Sequence, residues 1–346
     1  MEAHPEAVLK NDTLLRALAR QPTEYTPVWL MRQAGRYLPE YRALRAKAGS
    51  FWTMCNDPDM ATEVTLQPIR RFGFDAAIIF SDILTVPFAL GRNVTFEENV
   101  GPRLDPVGDL EVLERDPAIW RERLAPAYET LRLTRAALPV ETTLLGFAGA
   151  PWTLATYMAA GRGGDEQKAA KLWGYRDPKS FGGLLDMLGD CVAAHLIAQI
   201  DAGADAVQIF DSWAGGLPED AFVRWVIAPT KRIVEKVRAA KPDARIIGFP
   251  RAATLQGYEN YARETGVNAI SVDTSTPVDW MSTIGVPVQG NLDPVLLVTG
   301  GEALNRAVDG IVDAMRGRPF IFNLGHGVLQ ETPPEHVAAL VARVRK

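Results

Sequence analysis

Four arginines lie close together near the amino terminus of an otherwise acidic protein. Arg32, Arg36, Arg42 and Arg45 fall within the segment WLMRQAGRYLPEYRALR, while the whole chain of 346 residues has a formal net charge of −5. A guanidinium group matches a carboxylate in a planar two-bond fork, and each charge-assisted bond contributes about 1.5–3 kcal/mol when shielded from water. Gly35 lets the backbone between Arg32 and Arg36 approach a ligand closely. This segment therefore indicates a local pocket for carboxylates.

Arg42 also has a simpler interpretation. It is predicted to lie on an exposed helix face, where an ion pair, for example to Glu40, contributes little to stability. The argument for a pocket therefore depends on Arg32 and Arg36.

Asp82 ends the apolar run AAIIFSD. A carboxylate at the rim of an apolar wall is costly unless it has a partner. One interpretation is a structural ion pair with a nearby arginine. The other is an anion that accepts hydrogen bonds from ligand N–H groups and stabilises positive charge that develops during a reaction.

His326 lies between Gly325 and Gly327 in the segment NLGHGVLQETPP. The two glycines suit a ring held on a tight backbone at a site, although a histidine that only makes structural hydrogen bonds is the alternative. A metal role has little support, because no second His or Cys lies at ligand spacing. The remaining histidines are predicted to lie in a tail and in two helices: His4, His195 and His336.

Two neutral polar residues and two aromatic residues are further candidates. Tyr157 and Ser212 can hydrogen-bond carboxylate oxygens, although a tyrosine packed on its apolar body is equally common. Phe147 and Phe210 end predicted strands. They form either aromatic walls of a pocket or part of the core.

These residues are positioned by a repeated alternation of short β-rich runs and helical periodicity. The predicted strands are Thr26–Met31, Asp75–Phe80, Thr142–Phe147, Ala206–Phe210, Ala244–Phe249, Ala269–Val272, Val286–Gly290 and Phe320–Asn323. The clearest predicted helices are Pro58–Arg71, Ile119–Ala137, Pro178–Ala202, Pro218–Ala240 and Gly301–Arg316. Several strands are continuous apolar runs, which is typical of strands covered by helices.

Eight such units predict an α/β fold with a single (β/α)8 TIM barrel, one domain over residues 1–346, and a cleft at the C-terminal ends of the strands. An open doubly wound sheet is the main alternative, but the first strand is followed by RQAGR and not by G-x-G-x-x-G. In a barrel the residues that follow each strand share one mouth. They are Arg32, Gln33, Arg36, Ser81, Asp82, Asp211, Ser212, Arg251, Asp273, Ser275, Asn291, Asp293 and His326, with a Gly-Ala-Pro turn leading to Tyr157.

Several local signals refine this prediction. Asp57 and Asp177, each followed by proline, predict helix N-caps, and Gly203 predicts a left-handed residue after a helix. The interval NVTFEENVGPRLDP predicts an excursion between the second and third strands. The glycine-rich stretch Gly161–Gln167 predicts a mobile loop.

Composition excludes several classes of protein. The negative net charge opposes binding to nucleic acid and to anionic membranes. The first twenty residues lack the apolar region of a signal peptide, and no run of 18 apolar residues is present. Cys55 and Cys191 do not form a metal or disulfide pattern, so we expect reduced thiols in a cytoplasmic protein.

The segments MRQAGRYLPEYR, LQPIRRFGFDAAIIFSDILTVPFALG, GFAGAPWTLATYM, FDSWAG and NLGHGVLQETP together resemble the uroporphyrinogen decarboxylase family over essentially the whole chain. The resemblance implies a cofactor-free homodimer that converts uroporphyrinogen III to coproporphyrinogen III with loss of four CO2, in haem, chlorophyll and cobalamin precursor synthesis. It also implies substrate binding by Arg32, Gln33, Ala34, Gly35, Arg36, Asp82, Tyr157, Ser212 and His326, with Asp82 as transition-state stabiliser.

The chemistry of an electron-rich pyrrole agrees with this expectation, because a protonated ring carbon accepts the electrons released as CO2 leaves. Arg32, Tyr157 or a bound water is the proton donor, and arginine is a very weak acid in water. Two alternatives remain: a corrinoid or thiol methyltransferase of the same superfamily, which needs a zinc held by His and two Cys, and a noncatalytic porphyrin-binding protein.

Overall fold

The computed structural model describes residues 12–97 and 101–346 of the chain. The described part contains a sheet of seven parallel strands and a separate two-stranded hairpin. The strands are β1 (Ala76–Ile78), β2 (Val94–Glu97), β3 (Gly101–Leu104), β4 (Thr143–Gly149), β5 (Ala206–Asp211), β6 (Ile246–Pro250), β7 (Ala269–Ser271), β8 (Val288–Leu292) and β9 (Phe320–Leu324).

The order of the large sheet is β1-β4-β5-β6-β7-β8-β9, so each strand pairs with the next one along the chain except where the hairpin intervenes. Every pairing is parallel, and helices connect successive strands. Seven of the eight predicted strands are therefore confirmed. Because all seven run in one direction, their carboxyl ends lie on one edge of the sheet.

The prediction of a first strand at Thr26–Met31 is wrong, because this segment forms no regular strand. Only Val28 makes an isolated bridge, with Phe322 of β9. Side chains take the place of backbone partners here: Val28 N donates to Asp75 Oδ2 at 2.8 Å, and Met31 N donates to Asn323 Oδ1 at 2.9 Å. The backbone thus lacks the regular ladder of hydrogen bonds that defines a strand.

Residues 27–29 nevertheless contact both edges of the sheet. Phe322 N donates to Pro27 O at 2.8 Å, and Asp75 N donates to Val28 O at 3.0 Å. A buried network reaches across the sheet, in which Trp29 Nε1 donates to Gln289 Oε1 at 3.0 Å. Gln289 Nε2 in turn donates to Gln208 Oε1, also at 3.0 Å. Contact between β5, β8 and this segment requires a strongly curled sheet.

The helices of the described residues pack around this sheet. They are α1 (Thr13–Leu18), α2 (Pro39–Ala48), α3 (Phe51–Asn56), α4 (Pro58–Phe72), α5 (Thr85–Ala89), α6 (Pro117–Arg123), α7 (Ala125–Ala137), α8 (Pro151–Ala160), α9 (Lys168–Arg176), α10 (Pro178–Asp201), α11 (Glu219–Phe222), α12 (Ala228–Ala240), α13 (Leu255–Thr265), α14 (Val278–Met281), α15 (Pro294–Thr299), α16 (Gly301–Ala314) and α17 (Pro334–Val344). A 3₁₀ turn covers Leu110–Val112, and a π-helical turn at Val223–Ile227 joins α11 to α12.

The predicted helix ends are confirmed. The side chain of Asp57 accepts from Met60 N, and that of Asp177 accepts from Ser180 N. Gly203 has φ 110°, a positive value that favours glycine. The predicted helix Ile119–Ala137 is divided at Leu124, because a proline at the second position of α7 cannot donate a backbone hydrogen bond to the preceding turn.

The predicted excursion forms the β2–β3 hairpin; residues 98–100 within it, like His4, lie outside the described residues. Gly161–Gln167 forms a loop without a helix or named strand, touching the hairpin at a bridge between Arg162 and Arg103. Helix α10 is long and apolar enough to cross a membrane by length and composition. Most of it is buried against β4, α8 and α12, as is typical of the core helix of a folded domain.

Candidate functional site

The residues that follow the strands meet at the carboxyl edge of the sheet. Asp82 follows β1, Ser212 follows β5, and His326 follows β9. Tyr157 lies on α8, which begins directly after β4, and Arg251 follows β6. The structure thus places residues from distant parts of the sequence around one mouth.

Arg32 lies centrally among these groups. It has the left-handed backbone angle φ 58°, which is uncommon for a residue with a side chain. It is accessible to solvent, yet burial lowers the pKa of its guanidinium, and the positive charges of Arg251 and Arg36 lower this pKa further. Asp82 and Tyr157 act in the opposite direction. The Arg32 side chain is thus accessible to solvent and also surrounded by enough protein to lose part of its hydration.

The turn that holds Arg32 is fixed by Gln33. The Gln33 side chain is fully buried, where Oε1 accepts from Leu30 N at 3.2 Å and Nε2 donates to Ala76 O at 3.0 Å. Tyr37 Oη donates to Gln33 O at 2.7 Å. The side chain of Gln33 therefore points into the fold, and it supports the Arg32 turn.

Ala34 and Gly35 are half-buried, and Arg36 is exposed beside them. Arg42 donates to Arg36 O at 2.8 Å, so it stabilises this loop through the backbone. The ion pair to Glu40 is made by Arg71 and not by Arg42, with Arg71 Nε and Glu40 Oε1 2.8 Å apart.

Asp82 is an acidic residue that lies close to Arg32 and Tyr157. Its Oδ1 accepts from Leu84 N at 2.8 Å. Burial raises the pKa of Asp82 to about 6, and this rise is opposed by the hydrogen bond from Leu84 and by the charge of Arg32. No ion pair within 4.0 Å joins Asp82 to any residue of the described ranges. Arg32 is therefore close enough to stabilise the carboxylate without neutralising it by direct contact.

Tyr157 faces the same centre. Burial raises the pKa of its hydroxyl, as does the charge of Asp82, while the Trp213 side chain and the charge of Arg32 lower it. The rings of Tyr157 and Trp213 meet edge to face, with centroids 6.4 Å apart. On another side, a methyl group built on Gly163 would lie 3.2 Å from Tyr157 Cε1, so the glycine-rich loop packs directly on this ring.

His326 and Arg251 follow β9 and β6 at the same edge of the sheet. Burial lowers the pKa of His326 to about 4, with further lowering by Arg32 and Arg251 and opposition from Asp273. The imidazole is therefore neutral near pH 7 and has one N–H to donate. Arg251 Nη1 makes a long hydrogen bond of 3.4 Å to the carbonyl of Ser212, which is itself half-buried.

In the described part of the chain, three arginines of the mouth have no acidic partner within ion-pair distance. Within residues 12–97 and 101–346, Arg32, Arg36 and Arg251 make no ion pair within 4.0 Å, although many other arginines of the protein do. Unpaired guanidinium groups at one mouth, of which Arg32 is desolvated, favour an anionic ligand. Arg251 was named among the strand-end residues but was not selected as a binding residue from the sequence. Its position directly after β6 is the feature of the sequence that could have identified it as a binding residue.

The aromatic residues at the strand ends form a continuous group. Phe147 and Phe210 are half-buried and meet at 5.6 Å, and Phe210 meets Phe249 at 6.1 Å. Both cysteines are buried and free. In the part of the chain that the structure describes, no group of three His, Cys, Asp or Glu side chains could hold a metal ion.

Fold and site together define an α/β protein whose polar groups converge at the carboxyl edge of a curled parallel sheet, where barrel enzymes have their active sites. The family model for uroporphyrinogen decarboxylase (URO-D) matches residues 9–346. The chain belongs to this family.

Curated relatives agree. A uroporphyrinogen decarboxylase from Chelativorans sp. is 54% identical over 96% of this chain and 98% of its own length. The protein of the same name from Sinorhizobium fredii is 56% identical over 92% of this chain and 93% of its own.

Solved structures show the fold alone. A methyltransferase from Methanosarcina mazei has a TM-score of 0.81 at 19% identity, covering 96% of this chain and 97% of its own. A B12-independent methionine synthase from Shewanella sp. has a TM-score of 0.58 at 13% identity, covering 83% of this chain and 87% of its own.

Proposed function

We propose that this chain converts uroporphyrinogen III to coproporphyrinogen III, turning four acetate side chains into methyl groups with release of four CO2, in tetrapyrrole biosynthesis. The observation that carries the proposal is identity of 53–56% to relatives named uroporphyrinogen decarboxylase, over at least 92% of this chain. The chemistry of the mouth supports it, because a substrate with many carboxylates suits a pocket of unpaired arginines.

The reaction requires little from the protein beyond an acid, a counter-charge and anchors. Protonation of a pyrrole ring carbon produces a cation, and this cation accepts the electron pair of the breaking C–CO2 bond. The resulting exocyclic double bond is then protonated at carbon and becomes a methyl group. Loss of the first proton from the ring carbon restores the neutral pyrrole, so each acetate consumes one proton and releases one CO2. We expect no metal or organic cofactor, because the substrate supplies its own electron sink.

Asp82 is the counter-charge in this proposal. With a pKa of about 6 it is mostly ionised at neutral pH, so it can accept hydrogen bonds from pyrrole N–H groups and stabilise the cationic intermediate. Its burial supports the role, since a charge interaction is stronger where water is excluded.

Arg32, Arg36 and His326 anchor substrate carboxylates in this proposal, with the backbone of residues 32–36 lining the pocket. Arg251 joins them, because its charge reaches both Arg32 and His326. Neutral His326 contributes a hydrogen bond and not a positive charge.

Arg32, Tyr157 or a bound water donates the protons. Burial lowers the pKa of Arg32 and so makes it a stronger acid than a free guanidinium. The raised pKa of Tyr157 keeps its hydroxyl protonated. Ser212 and Tyr157 supply neutral hydrogen bonds to carboxylate oxygens.

At the level of the whole protein, we propose a single domain over residues 1–346 in which residues 27–29 take the position of the eighth strand and close a (β/α)8 barrel. Their hydrogen bonds to β9 and to Asp75 support this closure. We further propose a cytoplasmic homodimer without a nucleic-acid or membrane partner. The acidic charge supports the absence of a nucleic-acid or anionic-membrane partner, and the buried, free cysteines support the cytoplasmic location. The homodimer rests on the family to which the chain belongs.

The test is anaerobic incubation of chelator-treated protein with uroporphyrinogen III, followed by oxidation and chromatographic counting of porphyrin carboxylates. Progression from eight carboxylates to four is the expected result, with Asp82→Asn as an inactive control. Unchanged eight-carboxylate material from folded protein would exclude this function and leave a binding protein. Zinc bound to the protein as purified would instead favour the methyltransferase-like alternative.

A further inference from the structure

Asp211 is a buried acid beneath the mouth. It is the last residue of β5 and is 1% exposed. Its Oδ1 accepts from Thr153 Oγ1 at 2.5 Å, while Oδ2 has no hydrogen-bond partner among the described residues. Burial raises the pKa of Asp211 to about 7. A buried carboxyl group with one unpartnered oxygen destabilises the folded state, so its presence here calls for a role outside stability.

A short chain of contacts leads from Asp211 to Tyr157. Thr153 Oγ1, which donates to Asp211, also accepts from Trp213 N at 3.1 Å. The Trp213 carbonyl accepts from Trp152 Nε1 at 2.8 Å, so the backbone of Trp213 is held at two points. Its ring then packs edge to face on Tyr157. Thr153 and Tyr157 also lie one turn apart on α8, which makes the arrangement stiff.

The backbone of Asp211 supports a second part of the mouth. Its carbonyl accepts from Arg251 N at 3.1 Å, and the next residue, Ser212, accepts from Arg251 Nη1. Asp211 thus joins β5 to α8 by its side chain and to β6 by its backbone.

We propose that Asp211 is a positioning residue that, through Thr153, fixes Trp213 against Tyr157 and thereby holds the Tyr157 hydroxyl facing Asp82 and Arg32. Asp211 itself does not touch substrate. The inference rests on the proposed function, because it assigns a role to Tyr157 in the decarboxylation.

A double-mutant cycle between Asp211→Asn and Tyr157→Phe tests it. Asp211→Asn is expected to lower kcat on the order of 10- to 100-fold, because small displacements of a reacting group cost about this much, with KM changed far less. In the Tyr157→Phe background the same substitution is expected to lower kcat by less than about 2-fold, since the group that it positions is gone. If the two effects multiply, Asp211 does not act through Tyr157 and the proposal is wrong.

Thr153 gives a second measurement that does not depend on the folding of Asp211→Asn. Thr153→Ser retains the hydroxyl and should keep kcat within about 2-fold of the wild type, whereas Thr153→Val should reproduce the loss. Equal kcat values for the two variants would overturn the proposal.

The matched control is Asp205→Asn at the opposite end of β5. Asp205 accepts from Leu144 N at 2.7 Å and pairs with Arg135, so its loss disturbs the same strand away from the mouth. The Asp205→Asn variant should be less stable than the wild type and have an unchanged kcat. If its kcat fell as much as that of Asp211→Asn, the effect of Asp211→Asn would be explained by disturbance of β5, and the proposal would be wrong. Failure of the wild-type chain to decarboxylate uroporphyrinogen III would instead contradict the proposed function.

Discussion

Gly327 lies directly against the side chain of Arg32. A methyl group built on Gly327 would be 2.3 Å from Arg32 Cδ and 2.6 Å from Arg32 Cγ. The backbone that follows β9 is thus a platform for the methylene stem of Arg32, which explains a glycine beside His326 in physical terms. The backbone of Gly327 does not have positive φ, so alanine is excluded here by the contact and not by conformation.

Gly327→Ala should therefore displace the guanidinium of Arg32. We expect kcat/KM for uroporphyrinogen III to fall on the order of 10- to 100-fold, since a shift of about 1 Å in a positioned group has effects of this size. Because Arg32 is accessible to solvent and makes no ion pair within the described residues, the free energy of unfolding should change by less than about 1 kcal/mol. Steady-state kinetics and chemical denaturation measure the two effects separately.

Gly310→Ala on α16 is the matched control. A methyl group there meets no atom within 4 Å, so the variant should gain about 0.5–1 kcal/mol of stability and keep full activity. If Gly327→Ala also kept full activity, the position of Arg32 would not matter for turnover.

Arg251→Gln is predicted to weaken substrate binding. Loss of an unpaired cation that faces Arg32 and His326 should raise KM on the order of 10-fold, with a smaller effect on kcat, because a remote carboxylate anchor acts equally on ground and transition states. The control is Arg263→Gln, which removes an exposed arginine paired with Glu264 away from the mouth. An unchanged KM for Arg251→Gln would remove Arg251 from the site.

Much of the site follows from the sequence because parallel strands end at a common edge. Once the strands before Asp82, Ser212 and His326 were predicted from their apolar runs, the meeting of these residues was a geometric consequence. The spacing of charges in MRQAGR likewise indicated the cationic pocket.

Other features depend on contacts between distant segments. Thr26–Met31 has the composition of a strand, but Asp75 and Asn323 bind its N–H groups, and sequence patterns do not reveal such side-chain competition. The inward position of Gln33 depends on the carbonyl of Ala76, and Arg251 makes a hydrogen bond to the carbonyl of Ser212 and no ion pair with a described residue. Each of these features is set by residues that are far apart in the sequence.

The substitution Asp82→Asn should raise the stability of the folded protein and lower its activity. The folded-state pKa of about 6 lies above the ordinary value of 3.8, so the native state holds this proton more tightly than the unfolded state. The protonated carboxyl group favours the folded state, and this contribution is lost as the pH rises from about 4 to 6. Above pH 6 the folded state is destabilised by the full free energy of burying the carboxylate.

At pH 7.5 we expect the Asp82→Asn variant to be more stable than the wild type, with a free energy of unfolding about 1–3 kcal/mol larger. This difference should disappear toward pH 4. Asparagine can still accept from Leu84 N. Turnover should fall at least about 100-fold while KM changes little. Denaturation curves across this pH range check the stability, and a variant less stable at pH 7.5 would mean that attraction to Arg32 outweighs burial.

Substrate binding should be coupled to proton uptake at His326. In the free protein its pKa is about 4, lowered by burial and then by Arg32 and Arg251. A carboxylate bound between these arginines opposes their charge, so the pKa of His326 rises toward its ordinary value. A group whose pKa rises on binding takes up a proton wherever the pH lies between the free and bound values.

We therefore expect binding of coproporphyrinogen III to tighten as pH falls from about 7 to 5.5, a range in which exposed carboxylates stay ionised. Anaerobic calorimetry at pH 6 in buffers with different ionisation enthalpies counts the protons taken up. His326→Gln keeps a hydrogen-bond donor but cannot titrate, so its uptake should be smaller than that of the wild type. Asp82 contributes equally to both proteins and cancels in the difference. Identical uptake would show that no ligand carboxylate reaches the His326 side of the mouth.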